Sequence, residues 1–186
     1  EHSLAALFYG VLSIAASWPL ARSLASALPS AYDSMLDVWN QWHFREALAG
    51  REPLFSTTLL FAPVGTSLAS ASTGPMLGLL GLPFAPWGPI ATYNGALLLG
   101  STLTGWFMYL TARCLGLPRL ASLFAGLVLL LAPMRMAAIQ AGHLHVVFLG
   151  LIPLLALFTL RALDPGRNWK WSLAADSREH HSLTVH

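Results

Sequence analysis

The sequence predicts an all-α chain: a polytopic transmembrane helical bundle of about four spans, with interfacial helices in the first outer loop. Three observations predict it. Of 186 residues, 55% are hydrophobic and only 10% charged, where a soluble domain carries roughly 25% charged residues. Mean hydropathy is +0.61. At four places an apolar run approaches the roughly 20 residues that a helix needs to cross hydrocarbon. The same figures exclude a disordered chain, a collagen-like chain and a nucleic-acid binder with a basic surface. Ten basic and eight acidic residues leave a net charge of +2, too balanced to draw a polyanionic partner. The single cysteine, Cys114, excludes an internal disulfide and a cysteine-based metal cluster.

The first expected span runs from Leu4 to Leu20, with Arg22 placed to snorkel to the interface. Read as a signal peptide it lacks a basic flank, since Glu1 and His2 open the chain, and Ala15-Ala16-Ser17 is a poor cleavage site. A retained span fits better. The second runs from Ile90 to Ala112, opened by Pro89, whose missing N–H has no partner to lose in a first turn. The third covers Leu120 to Ile139, with Pro133 as its kink or end. The fourth covers Leu144 to Leu163, with Pro153 breaking its middle. The piece from Pro75 to Trp87 is too short and proline-rich to span, and reads as interfacial or re-entrant.

Lys and Arg positions orient these spans. Arg113, Arg119, Arg161, Arg167, Lys170 and Arg178 lie on one side, and Arg22, Arg45, Arg51 and Arg135 on the other. The short Arg113–Arg119 turn goes inside. Both termini are then cytoplasmic, and segment 21–89 and turn 134–143 are outer. Residues 1–163 form one transmembrane domain that reads as the front part of something larger. Residues 164–186, which lose the apolar pattern, form a polar cytoplasmic tail.

The outer loop carries the most informative stretch, Tyr32-Asp33-Ser34-Met35-Leu36-Asp37-Val38-Trp39-Asn40-Gln41-Trp42-His43. Ser34 with Asp37 loosely resembles a capping box, and Gly50 suits a helix end. At 100° per residue, Met35, Val38, Trp39 and Trp42 share a face. The stretch predicts a helix lying on the bilayer, aromatic face down, with Asp33 and Asp37 turned away from lipid. Two readings of these acids stay open: helix capping, or a general base that removes a proton from an attacking group, its pKa raised by burial.

The second polar cluster is Gly142-His143-Leu144-His145, preceded by Arg135 and Gln140. His143 and His145 share a face and can hold a divalent metal ion where the chain is extended; on a helix they diverge and read as interfacial histidines. No cofactor beyond that ion is suggested. Arg135 either pairs with a headgroup or other phosphate or snorkels.

Taken in order, these features resemble the GT-C superfamily of polytopic membrane glycosyltransferases, in particular its bacterial members. The resemblance rests on Tyr32-Asp33 after one span, then Asp37-Val38-Trp39-Asn40-Gln41-Trp42, Glu52-Pro53-Leu54-Phe55 and Leu60-Phe61-Ala62-Pro63-Val64-Gly65. Ala91-Thr92-Tyr93-Asn94 and the run Gly105–Arg113 follow, then Ala132-Pro133-Met134-Arg135 and Gly142-His143-Leu144-His145. It covers about Leu4 to Leu163. It departs after the Val64-Gly65 turn, where relatives often carry an acidic residue or histidine and this chain has Ser70, Ala71, Ser72 and Thr73.

The resemblance implies a hexosyltransferase-type enzyme in the bacterial cytoplasmic (inner) membrane, using a polyprenyl-phosphate-linked sugar on the outer face. Asp33 is then the catalytic base and Asp37 the second choice, with Arg135, His143 and His145 as substrate-binding candidates. The partners are the lipid bilayer and that sugar donor, with no nucleic acid. A different class of function also fits the residues: a non-catalytic assembly partner or transporter subunit that packs against a further membrane subunit through Gly95, Gly100 and Gly105.

Overall fold

A computed structural model describes residues 2–30, 33–69 and 74–163. The tail expected at 164–186, the segment Ser70–Thr73 and Tyr32 lie outside the described residues. The chain is mainly helical. Seven α-helices follow in order: α1 (His2–Ala16), α2 (Asp33–Leu48), α3 (Pro75–Gly81), α4 (Pro89–Cys114), α5 (Arg119–Leu130), α6 (Pro133–Gln140) and α7 (Leu151–Leu163). Short 3-10 segments cover Leu20–Ser23, Leu82–Trp87 and Leu144–Gly150. Between α2 and α3 the strands β1 (Ser56–Thr57) and β2 (Thr66–Ser67) pair antiparallel.

α4 is the axis of the fold. It starts at the expected proline and, with 26 residues, is about 39 Å long. α1, α2, α3, α5 and α7 all pack on it. Its buried side is polar as well as apolar: Thr92, Asn94, Ser101, Thr104 and Thr111 are buried beside Tyr93, Leu97 and Tyr109. These hydroxyls are satisfied locally or across helices. Thr104 Oγ1 donates to Gly100 O at 2.8 Å, and Thr111 Oγ1 to Pro153 O at 2.6 Å. Asn94 Nδ2 donates to Leu24 O and Ala27 O at 2.8 and 2.7 Å, which ties segment 24–27 to the axis.

The small residues of α4 are filled by this chain itself, contrary to the expectation that they meet another subunit. A Cβ at Gly105 would lie 2.5 Å from Tyr9 Cδ1, and one at Gly100 would lie 2.7 Å from Val147 Cβ. At Gly95 a Cβ would collide with the Phe84 ring. Each glycine is a socket for a side chain from α1 or a 3-10 segment, and the close approach that small residues permit is spent inside one chain.

Among the described residues two helical stretches are long and apolar enough to cross a membrane: Arg119–Gln140 and Leu144–Leu163. α1 is apolar but 15 residues long, and α4 dilutes its apolar run with the buried hydroxyls. The four expected spans therefore reduce to two that meet both criteria. Both are interrupted. The first breaks at Leu131–Ala132, just before Pro133 opens α6, as its proline predicts. The second is 3-10 up to Gly150 and α-helical from Leu151, so Pro153 falls in a first turn. The break expected at Pro153 lies a few residues earlier, because a first-turn proline removes no helical hydrogen bond. Leu120, Phe124 and Val128 of α5, Ile152, Leu155 and Phe158 of α7, and Leu4, Leu7 and Val11 of α1 are all exposed. Their spacing of three and four puts one apolar stripe on the outer side of each helix.

Candidate functional site

α2 meets α4 through a stripe at spacing 3-4-3: Ser34, Asp37, Gln41 and Phe44 are buried, while Met35 and Leu36 are more than half exposed. Trp39 and Trp42 are half-buried, and Val38 packs at the edge of the core. Asp37, expected to turn away from lipid, turns into the body of the protein together with Gln41. The reason is the partner surface. α3 presents Gly78, which leaves room for the Phe44 ring, and Gly81, where a Cβ would lie 2.8 Å from Gln41 Oε1. Tyr93 and the backbone of turn 142–144 supply the groups that satisfy the polar end of the stripe.

That polar end is where the two candidate clusters meet. His143 Nε2 donates to Asp33 Oδ2 at 2.9 Å. Ser34 Oγ donates to Tyr93 Oη at 3.2 Å and accepts from Ser30 N at 3.3 Å. Tyr93 Oη donates to Gly142 O at 3.0 Å. Leu144 N donates to Asp37 Oδ2 at 3.3 Å. Asp33 and Asp37 of α2 thus bond His143 and Leu144 directly, and Ser34 reaches Gly142 through Tyr93. Neither Ser34 nor Asp37 forms the expected capping box, because both side chains are engaged across the fold.

Gly142 makes the junction possible. At the end of α6, Gly142 N bonds Ile139 O at 3.0 Å and His143 N bonds Ala138 O at 2.9 Å, the pair of bonds of a Schellman ending. Gly142 has φ of +91°. A Cβ there would lie 2.5 Å from Ser34 Oγ and 2.9 Å from Ser34 N.

The two acids differ. Asp33 is exposed, with 58% of its side-chain surface accessible, and its His143 partner retains 41%. Asp37 is 8% exposed. Burial raises its carboxyl above the ordinary value, against the lowering effect of the Leu144 N–H and the Asn40 side chain. One acid can reach a ligand while paired to an imidazole; the other is a buried brace. The His143 and His145 rings stack, with centroids 5.3 Å apart. Among the described residues no group of three or more His, Cys, Asp or Glu side chains is arranged to hold a metal ion.

Arg135 sits elsewhere. It is 1% exposed, with Nη1 donating to Leu130 O at 2.9 Å and Nη2 to Ser101 Oγ at 2.7 Å. Ser101 follows Tyr93 by eight residues on α4, about 12 Å along the axis. The guanidinium closes the open carbonyl end of α5 and bolts it to α4, in place of the expected headgroup or phosphate contact. Among the described residues its Nε is buried without a partner, as are Gln41 Nε2 and Oε1 and His43 Nε2.

Sequence reading missed Ser34, Tyr93 and Gly142 as members of the junction. Tyr93 had a signal: it opens the second apolar run beside Asn94, two large polar side chains where hydrocarbon is expected. No protein-family description, curated protein or solved structure matches the chain.

Proposed function

We propose that the chain is a membrane glycosyltransferase, or its amino-terminal part, which transfers a sugar from a polyprenyl-phosphate-linked donor on the outer face of the bacterial inner membrane. The observation that carries the reading is the meeting of the outer-loop acids with the His143–His145 turn through the 2.9 Å Asp33–His143 pair. The two clusters are 110 residues apart in sequence, and both polar groups remain accessible. Two helical stretches able to cross a membrane and the outward apolar stripes support placing the chain in a bilayer.

In this reading Asp33 accepts the proton of the acceptor hydroxyl as that oxygen attacks the anomeric carbon, and the polyprenyl phosphate departs with the electron pair of the broken C–O bond. His143 orients the Asp33 carboxylate, and His145 stacks on His143 at the accessible edge, where the donor phosphate would lie. Asp37 holds the turn through the Leu144 N–H and is not the base. Arg135 serves packing.

The test is transfer of labelled sugar from a polyprenyl-phosphate donor by the full chain in lipid nanodiscs. Asp33→Asn removes the base while keeping the shape. Loss of a general base lowers a rate by about 10²–10⁴-fold, and the expected result is a loss of that order with thermal unfolding unchanged. Transfer by Asp33→Asn at the parental rate sinks the assignment. A non-catalytic membrane subunit remains the competing class. Its partner would have to use the outer stripes of α1, α5 and α7, since the glycine sockets of α4 are filled.

A further inference from the structure

Beyond the carboxyl end of α2 a cavity of about 410 Å³ opens beside the β1–β2 hairpin, within the range of roughly 300–1,000 Å³ usual for small-molecule sites. Glu52, Ser56, Thr58, Thr66 and Ser67 give it a polar lining, and Val64 stands at its apolar edge. The hairpin that shapes it pairs Ser56 with Ser67 and Thr57 with Thr66. It closes only because residue 65 is glycine: φ is +75°, and a Cβ would lie 2.7 Å from Thr57 O.

The chemistry of the lining is selective. Leu59 N donates to Thr57 Oγ1 at 3.1 Å, and Ala69 N donates to Ser67 Oγ at 3.3 Å. The exposed Ser67 hydroxyl accepts from backbone and keeps its own proton to donate outward, while Thr57, 2% exposed, braces the hairpin. The Glu52 carboxylate has no hydrogen-bond or ion-pair partner among the described residues. No Lys, Arg or His lines the cavity, so nothing there neutralises a phosphate or carboxylate ligand. A lone carboxylate among hydroxyls falls short of the six to eight oxygen ligands that calcium takes. What the lining does match is an uncharged molecule rich in hydroxyls and bearing apolar C–H faces. Such hydroxyls donate to Glu52 and both donate to and accept from Ser and Thr, while the C–H faces meet Val64, which is 89% exposed.

We propose that this cavity is a binding subsite for a neutral saccharide. α2 has 16 residues, so about 24 Å of helix separates Glu52 from Asp33, and the subsite is distinct from the acid–histidine junction. The proposal concerns binding alone and does not require that the chain transfer a sugar.

The experiment is saturation-transfer NMR on the full chain in nanodiscs, with maltose as the probe and with inorganic phosphate and calcium chloride as competitors. Expected is saturable maltose binding, weakened about tenfold or more by Glu52→Gln, since hydrogen bonds to a charged group are the strong ones, and a few-fold by Thr58→Val. Thr58 is exposed and Glu52 half-buried, and unchanged thermal unfolding of each variant separates lost binding from lost folding. Absence of maltose binding, or binding that both variants keep, overturns the subsite; so does calcium or phosphate occupying the cavity while maltose does not. Asp33→Asn is expected to leave maltose binding unchanged. If wild-type chain binds maltose in a Glu52-dependent way yet transfers nothing, the subsite stands and the transferase reading falls.

Discussion

Replacing Gly142 by alanine tests the junction at its tightest point. Two costs add. At φ of +91° an L-residue is in left-handed space, which costs about 1–2 kcal/mol. The new methyl would lie 2.5 Å from Ser34 Oγ, 2.8 Å from Ser30 Cβ and 2.9 Å from Ser34 N, and overpacking of this kind costs about 1–3 kcal/mol. The expected loss is about 2–5 kcal/mol, a large part of the roughly 5–15 kcal/mol that holds a domain together. For a chain of this size that corresponds to a fall in Tm of about 4–20 °C. The strain is directional. Relief pushes the start of α2 off the turn, which lengthens the Tyr93–Gly142, Asp33–His143 and Asp37–Leu144 contacts together. Thermal unfolding in nanodiscs reads the first effect, and hydrogen exchange of the Leu144 amide reads the second, with exchange about tenfold faster. Adding Ser34→Ala removes the oxygen at 2.5 Å and should recover part of the loss. A Tm within about 1 °C of the parent, with Leu144 equally protected, would refute the close approach of α2 to the turn.

Asp37 gives a pH-dependent prediction. Burial raises its carboxyl in the folded chain above the unfolded value, so the folded state binds that proton more tightly. Asp37 therefore costs stability once pH exceeds the unfolded value of about 3.9, increasingly so up to the folded value and by a constant amount above it. Asp37→Asn, whose amide oxygen can still accept from Leu144 N, should raise Tm at pH 7–8, with the gain vanishing as pH falls below about 4; a gain that grows on acidification contradicts the raised carboxyl. Gly105→Ala drives a methyl against Tyr9 Cδ1 and Cγ at 2.5 and 2.9 Å and should lower stability by about 1–3 kcal/mol, read by thermal unfolding. Unchanged stability there would contradict the seating of α1 on α4.

Much of the helical frame was legible because it follows from strictly local rules. Pro89 opens α4, Pro133 opens α6, and Gly50, at φ of +70°, closes α2. The apolar runs of α5 and α7 were visible as composition alone. What stayed hidden depends on partners far along the chain. Helical periodicity put Met35, Val38 and the tryptophans on one side of α2 and the acids on another; in the structure Met35 is exposed while Val38 packs against the core and the tryptophans are half-buried. Which side faces inward was decided by Tyr93, His143 and Leu144, between 59 and 110 residues away, and no local pattern carries that choice. Arg135 was illegible for the same reason. A lone arginine after a proline gives no hint that an open carbonyl of α5 and a serine of α4 will absorb its two terminal nitrogens. The glycines of α4 were recognised as a packing surface, but their spacing does not say whether the filling side chains come from the same chain.

The inverted face of α2 links the two halves of the functional argument. A helix that buries Ser34, Asp37 and Gln41 and exposes Met35 and Leu36 is poorly suited to water, because its apolar side chains forgo the roughly 25 cal/mol per Å² that burial would return. The same arrangement suits a helix with hydrocarbon or headgroups on one side and a polar protein interior on the other. The Asp33–His143 pair sits at the first turn of α2, beside the turn where α6 hands over to the Leu144–Leu163 stretch. Asp37, buried one turn further in, keeps the turn in register beneath the accessible pair. The arrangement thus separates the exposed acid, paired to His143, from the buried acid, which fixes the histidine turn against α2.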